Sequence, residues 1–171
     1  MNYWRVTKYD PRQRDRRGRF VPATWTSVAD IGRTFNGVVF TPDDYLRVET
    51  NYVAALTAFV EEAGSPALQV VGLEPGEELT GRSSVLPFLP RHGLCEGGMV
   101  TLKDLEGPVR LILREEVWCD LRSPRVQLSF GWDFYSYVSS EDPSVDAIRR
   151  AEALGLFAER LERLPGGAGR S

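Results

Sequence analysis

Glu49 is a carboxylate placed where a buried acid or base could do chemistry. It belongs to a segment whose apolar residues recur at helical spacing, and advancing 100° per residue puts Glu49 near the middle of the apolar arc. An ionised carboxylate that faces a protein core is costly unless it is paired or hydrogen-bonded. Glu49 is therefore either a general acid or base, or the structural partner of an arginine such as Arg114 or Arg5. We favour the structural role.

His92 is the only histidine of the sequence, which narrows the acid–base and metal chemistry open to the chain. The tetrapeptide from His92 to Cys95 could place an imidazole beside a thiol, as a dyad or as two metal ligands with a third from Cys119 or Asp120. The simpler interpretation is a surface loop rich in proline and glycine. The motifs GxxxxGKS, GxxxxGKT, GxGxxG, HExxH and GxSxG do not occur. We predict neither a metal nor a cofactor.

Charged residues alternate with large aromatic residues in the second half of the chain. Arg114-Glu115 precedes a tryptophan, and Trp132-Asp133 is followed by Tyr135. Such a mixture suits either a pocket or a binding hot spot. Because alternation turns one face of a hairpin away from the core, we expect part of the aromatic set around Trp132 to be exposed.

Charge is distributed unevenly along the chain. The first twenty residues hold seven basic and two acidic side chains, so the other 151 must carry −8 to give the total of −3. Arg14, Arg16 and Arg17 of this basic arm (residues 8–19) could contact phosphates, which makes nucleic-acid binding one alternative. The acidity of the remainder and a pI near 5.3 argue against a dedicated nucleic-acid binder. The other interpretation of the arm is a flexible, solvated loop.

Local signals predict the elements that position these groups. Thr41, Pro42 and Asp44 form a helix start, and Gly64 a helix stop, which predicts a helix over 41–63. Asn36-Gly37 indicates a tight hairpin turn. Segment 108–119 fits both helix and strand, and we choose helix. We expect strands over 3–8, 67–73, 99–103, 126–130, 134–139 and 156–161, a capped helical turn over 26–32, and a last helix over 142–154.

Length and composition favour one globular domain. At 171 residues, with 42% hydrophobic and 26% charged side chains, we expect a single domain over 1–163 and a flexible tail over 164–171. The fold class is α+β, with a mostly antiparallel sheet and two or three packed helices. No apolar run is long enough to span a bilayer, and Arg5 and Lys8 interrupt any export signal, so we expect a cytoplasmic protein with two reduced cysteines and no membrane partner.

The N-terminal residues carry one family resemblance. The segment 3–11, with 25–32, resembles the start of small uncharacterised bacterial proteins that share a YWRxTKY-type N-terminus, and the similarity continues through Tyr52 and at Arg114-Glu115 and Trp118. That family implies no activity. In type alone, an acidic α+β domain poor in catalytic groups is similar to the immunity proteins of bacterial toxin systems.

These observations favour a non-catalytic function. We expect a binding protein, of the immunity or antitoxin kind, that occludes a partner protein through aromatic and acidic residues. The enzyme alternative uses Glu49, or Glu115 with Arg114, in a hydrolytic or transfer reaction. Convergence of Glu49, Arg114, Glu115 and Asp133 in one pocket would favour the enzyme, and an exposed aromatic patch would favour the binding protein.

Overall fold

The computed structural model describes residues 1–76, 85–90 and 94–164. Its main feature is a seven-stranded antiparallel sheet, accompanied by a two-stranded hairpin and three α-helices, which confirms the α+β prediction. His92 and most of the predicted tail lie outside the described residues. The strands are β1 (Asn2–Thr7), β2 (Thr34–Phe35), β3 (Val38–Val39), β4 (Leu68–Pro75), β5 (Met99–Val100), β6 (Val117–Arg122), β7 (Val126–Phe130), β8 (Ser136–Ser140) and β9 (Phe157–Leu161); the α-helices are α1 (Pro42–Glu62), α2 (Glu106–Leu113) and α3 (Val145–Ala153).

Helix α1 forms where the local signals place it. The Thr41 hydroxyl accepts from the backbone N–H of Asp44, and the Asp44 carboxylate accepts from the backbone N–H of Thr41, which completes a capping box. Gly64 follows the helix with a φ of +88°, a conformation that suits glycine. The apolar arc of the helix is buried, and Glu49 within it is 0% exposed.

The sheet runs in the order β5-β4-β6-β7-β8-β1-β9, so the first and last strands of the chain lie side by side. Strand register aligns one row of buried side chains across five strands: Val70, Leu121, Leu128, Val138 and Trp4. This row belongs to the core, which lies between the sheet and α1 because α1 packs on β7 and β8.

All three α-helices lie on that one face of the sheet, since α2 and α3 both pack against α1. Hydrogen bonds tie the layer together: the Tyr45 hydroxyl donates to the carbonyl of Leu113 at the end of α2, and the Asn51 amide donates to the carbonyl of Leu154 after α3. The described α-helices therefore leave the opposite face of the sheet without a helical cover. We call it the open face.

Several predicted elements need correction. The helix expected over 108–119 ends at Leu113, because Glu115 adopts a left-handed φ of +59° and the chain then enters β6. Strand β8 begins at Ser136 rather than at Phe134, which belongs to the preceding turn. Helix α3 begins at Val145, after a left-handed Ser144 that makes no side-chain cap. The strand expected over 99–103 keeps only Met99–Val100, because a 3-10 helix follows. Among the described helices, none has the length and apolar character that crossing a membrane requires.

Candidate functional site

Glu49 is held by two arginines at the contact between α1 and α2. Its Oε1 accepts from Arg114 Nε at 2.6 Å, and its Oε2 accepts from Arg114 Nη2 at 3.0 Å and from Nη1 of Arg110. The predicted pairing with Arg114 is confirmed, whereas Arg5 binds Glu159 instead. Both carboxylate oxygens are thus committed to bonds with cations.

Arg114 is as deeply buried as its partner. Its side chain is 3% exposed, and its Nη1 donates to the carbonyl of Pro87 at 2.7 Å, which anchors segment 85–90 to the end of α2. The arrangement joins α1, α2 and segment 85–90, and it leaves Glu49 no oxygen without a cationic partner. This is the geometry of a structural ion-pair network.

A small cavity lies beside this network, at the ends of β6 and β7. Glu115, Trp118, Asp133 and Tyr135 line it, together with apolar residues of α2 and β7. Its volume is about 10 Å³, which is room for roughly one water molecule. Glu49 does not line it. Of the four residues named for the enzyme alternative, Glu115 and Asp133 therefore line this cavity and Glu49 and Arg114 do not. The cavity is far smaller than a substrate pocket.

The backbone around this cavity is strained at three places. Glu115, Asp133 and Phe134 have φ values of +59°, +58° and +61°, in the left-handed region that residues with a side chain seldom adopt. The close approach of Gly76 explains part of the geometry, because a Cβ there would lie 1.8 Å from the Glu115 carbonyl oxygen. Sequence reasoning did not identify Gly76, although the Pro75-Gly76 pair marks a turn.

The turn between β7 and β8 directs one aromatic side chain outward and one inward. The N–H of Gly131 donates to the carbonyl of Tyr135 at 2.8 Å, and Phe134 packs edge-on against Tyr52 and Tyr45 in the core. Between these anchors Trp132 is 60% exposed. The predicted exposure of part of this aromatic set is confirmed at Trp132.

Trp132 contacts Trp118, with ring centroids 4.9 Å apart. Trp118 alternates with the buried residues of β6 and so belongs to the open face. Glu74 lies opposite Trp118 in the β4–β6 register, and Asp133 follows Trp132 in the chain. We call Trp118, Trp132, Glu74 and Asp133 the tryptophan patch.

Arg14 of the basic arm lies at the β9 edge of the sheet. Arg14 is bidentate to Glu159 of β9, with bonds of 2.7 and 2.6 Å, and Arg5 of β1 binds the same carboxylate. Arg16 and Arg17 are exposed. Strand β9 is four strands away from β6, a separation of roughly 19 Å at 4.8 Å per strand. Arg14 is therefore remote from Trp118 and is not available to an anionic partner. Lys8 and Tyr9, at the start of the arm, instead lie near the β7–β8 turn, since the ring centroids of Tyr9 and Tyr135 are 5.3 Å apart.

Lys8, Tyr9 and Trp25 form a cluster that sequence reasoning missed. The Lys8 ammonium lies over both aromatic rings, 4.4 Å from the Tyr9 centroid and 3.8 Å from the Trp25 centroid. Its Nζ donates to the Trp25 carbonyl at 2.6 Å. The sequence did offer one signal, since the chain holds only two lysines, Lys8 and Lys103, among 21 basic side chains.

The two cysteines differ in environment. Cys95 is exposed and Cys119 is buried, and burial raises the pKa of the Cys119 thiol to about 12, with the Asp120 and Glu96 carboxylates adding to the effect. Within 1–76, 85–90 and 94–164, no group of three histidine, cysteine or acidic side chains is arranged to hold a metal. The proposed pairing of His92 with Cys95 lies outside the described residues.

Comparison of the chain with protein-family models, with curated proteins and with solved structures gave no match. The functional argument rests on the geometry of the site.

Proposed function

We propose that this protein is a non-catalytic binding protein that docks a partner protein on the tryptophan patch. The observation that carries the proposal is the exposed indole of Trp132. It lies on a turn in which Phe134, two residues later, is buried in the core. Exposed tryptophans supply large contact areas and are enriched among the residues that dominate binding energy. Because the turn fixes the indole before binding, little conformational entropy is lost on association.

The surroundings of the patch favour a basic partner surface. Glu74 lies across the β4–β6 register from Trp118, Asp133 follows Trp132, and Glu115 lines the cavity beneath. Arg122, on the same strand face as Trp118, is already bonded to Asp120. A cationic partner would be steered toward this end of the sheet, and its arginines could stack on the exposed indole.

Two observations make the enzyme alternative less favoured. Each oxygen of Glu49 is bound by a guanidinium, and the cavity that holds Glu115 and Asp133 admits about one water. An inhibitor of the immunity kind needs neither a free acid nor a substrate pocket, since it acts by covering a partner. We propose this mode of action, with inhibition that saturates near equimolar amounts.

The experiment compares the wild-type protein with Trp132→Ala. Each is immobilised and exposed to an extract of its own host, and the protein retained by the wild type is purified and titrated calorimetrically. We expect one-to-one binding, weakened by about 30-fold, or roughly 2 kcal/mol, in Trp132→Ala. Val38→Ala is the matched control, because Val38 is similarly exposed but lies on the separate β2–β3 hairpin.

Equal binding by wild type and Trp132→Ala would contradict the proposed surface. The proposed surface would also be contradicted if the wild type retained no protein beyond those that Trp132→Ala retains. Processing of many equivalents of partner or substrate by a catalytic amount of protein would instead establish the enzyme alternative.

A further inference from the structure

Lys8 presents an amine outside the tryptophan patch, with which it shares only the influence of Asp133. Lys8 directly follows β1. Its ammonium lies over the faces of the Tyr9 and Trp25 rings, and its Nζ donates to the Trp25 carbonyl. The residue as a whole is partly exposed. The amine itself lies in contact with the faces of both rings.

Three groups of the protein face this amine. The Asp30 carboxylate, from the 3-10 helix Val28–Asp30, and the Asp133 carboxylate both interact with it electrostatically. The third is the ring of Tyr9, whose hydroxyl is buried and has no hydrogen-bond partner among the residues described. A buried hydroxyl without a partner costs free energy in the resting protein, which makes it a group that a bound molecule could satisfy.

Burial gives the amine unusual chemistry. Desolvation lowers the pKa of Lys8 to about 7, although the Asp30 and Asp133 carboxylates act in the opposite direction. The uncharged form of Lys8 is then far more abundant at neutral pH than in an ordinary lysine with a pKa of about 10.4, where it makes up fewer than about 1 in 1,000 at pH 7. The uncharged form is the nucleophile.

The choice of residue points the same way. Arginine provides 19 of the 21 basic side chains, and a guanidinium stacks on aromatic rings at least as well as an ammonium. An arginine at position 8 would therefore preserve the stacking contacts. Lysine differs in that it can release its proton and attack a carbon centre.

We propose that Lys8 is a covalent binding site for small, flat aldehydes, which it captures as a Schiff base. The lone pair of the uncharged amine attacks the carbonyl carbon and forms a carbinolamine. The former carbonyl oxygen then leaves as water, taking up the two hydrogens that the nitrogen loses. The product is an imine, and no oxidant or reductant takes part.

Charge conservation is the reason for choosing an aldehyde. A protonated imine keeps the positive charge that Asp30 and Asp133 face, and it keeps the cation–π contacts with Tyr9 and Trp25. An acyl group would convert the amine into a neutral amide, and both carboxylates would then lose the positive charge that faces them. A conjugated aldehyde also gives a planar adduct, which is the shape that stacks on an aromatic face.

The experiment uses the full chain, benzaldehyde as the probe and cyanoborohydride to trap the imine. Peptide mapping follows the benzyl label at Lys8, at Lys103 and at the N-terminal amine of Met1. We expect Lys8 to be labelled at least tenfold faster than Lys103 at pH 7, even after allowance for its partial burial. The Lys8 rate should level off above about pH 7, whereas the rate of a lysine with an ordinary pKa keeps rising well above that pH.

Two variants complete the test. Lys8→Arg keeps the charge and the stacking but removes the nucleophile, so only Lys103 and Met1 should be labelled. Lys103→Arg should leave labelling of Lys8 unchanged. Labelling of Lys8 no faster than that of Lys103 in the folded protein, or fast only after unfolding in urea, would overturn the proposal. Trp132→Ala should label like the wild type, so this test is independent of the docking function.

Discussion

Replacing Glu49 by glutamine should destabilise the fold strongly, because the buried Arg114 has no other carboxylate partner among the described residues. The carboxylate accepts two bonds from Arg114 and one from Arg110, and it is 0% exposed. Glutamine keeps one acceptor oxygen and turns an NH2 group toward guanidinium donors. Removing one partner of a buried ion pair costs about 3–5 kcal/mol, since the other charge stays buried without compensation.

That loss corresponds to a fall in melting temperature of roughly 10 °C, at about 2–4 °C per kcal/mol for a chain of this size. Urea unfolding followed by circular dichroism measures it. Glu106→Gln is the matched control, because Glu106 binds the same Arg110 but its side chain is 63% exposed. We expect that control to lose less than about 1 kcal/mol.

A second variant separates lost pairing from lost packing. Replacing Glu49 and Arg114 together by leucine and methionine removes both charges, and should recover most of the stability. A loss below about 1 kcal/mol in Glu49→Gln would refute the structural account of this network. Unchanged stability combined with the loss of a measured activity would transfer Glu49 to the enzyme alternative.

Two further predictions concern the arm and the thiols. Arg14→Ser should lower stability at neutral pH, whereas the exposed Arg16→Ser should not. Burial opposes ionisation of Glu159, but hydrogen bonds from Arg14 and Arg5 outweigh it and lower the pKa of this carboxyl group. The stabilisation of the fold by the Arg14–Glu159 pair is therefore fully present above about pH 4.5, and it is lost as the pH falls through the lowered pKa. Acid unfolding curves of wild type and Arg14→Ser should therefore converge at low pH; a constant gap would argue against the pair. A thiol reagent should modify Cys95 in the native protein and Cys119 only after unfolding, and equal native rates would contradict the burial of Cys119.

Short-range signals predicted the parts of the fold that depend on neighbouring residues. The Thr41 capping box fixed the start of α1, and the Asn36-Gly37 pair predicted the β2–β3 hairpin, in which both residues have positive φ. The position of Glu49 on the apolar arc predicted its burial and its pairing with Arg114. In each case the deciding interaction lies within the segment or follows directly from helical periodicity.

The rest of the site depends on contacts between distant segments. No local pattern indicates that Glu115 will adopt a left-handed conformation, because the turn is accommodated by Gly76 across the β4–β6 pair. The binding of Arg14 by Glu159 likewise joins residues at opposite ends of the chain. The cluster around Lys8 combines β1, a loop and the β7–β8 turn, which sequence spacing alone does not bring together.

The sheet order also constrains when the fold can form during synthesis. Among the described strands, β1 hydrogen-bonds only to β8 and β9, and the contact between Asn2 and the Ser140 carbonyl spans 138 residues. At about 5–20 residues per second, a ribosome needs roughly 7–28 s to translate the intervening chain. Throughout that interval the amphipathic strand has no partner in the nascent polypeptide. Such non-local closure slows folding, so β1 is the segment for which a chaperone on the ribosome would have the longest opportunity to bind.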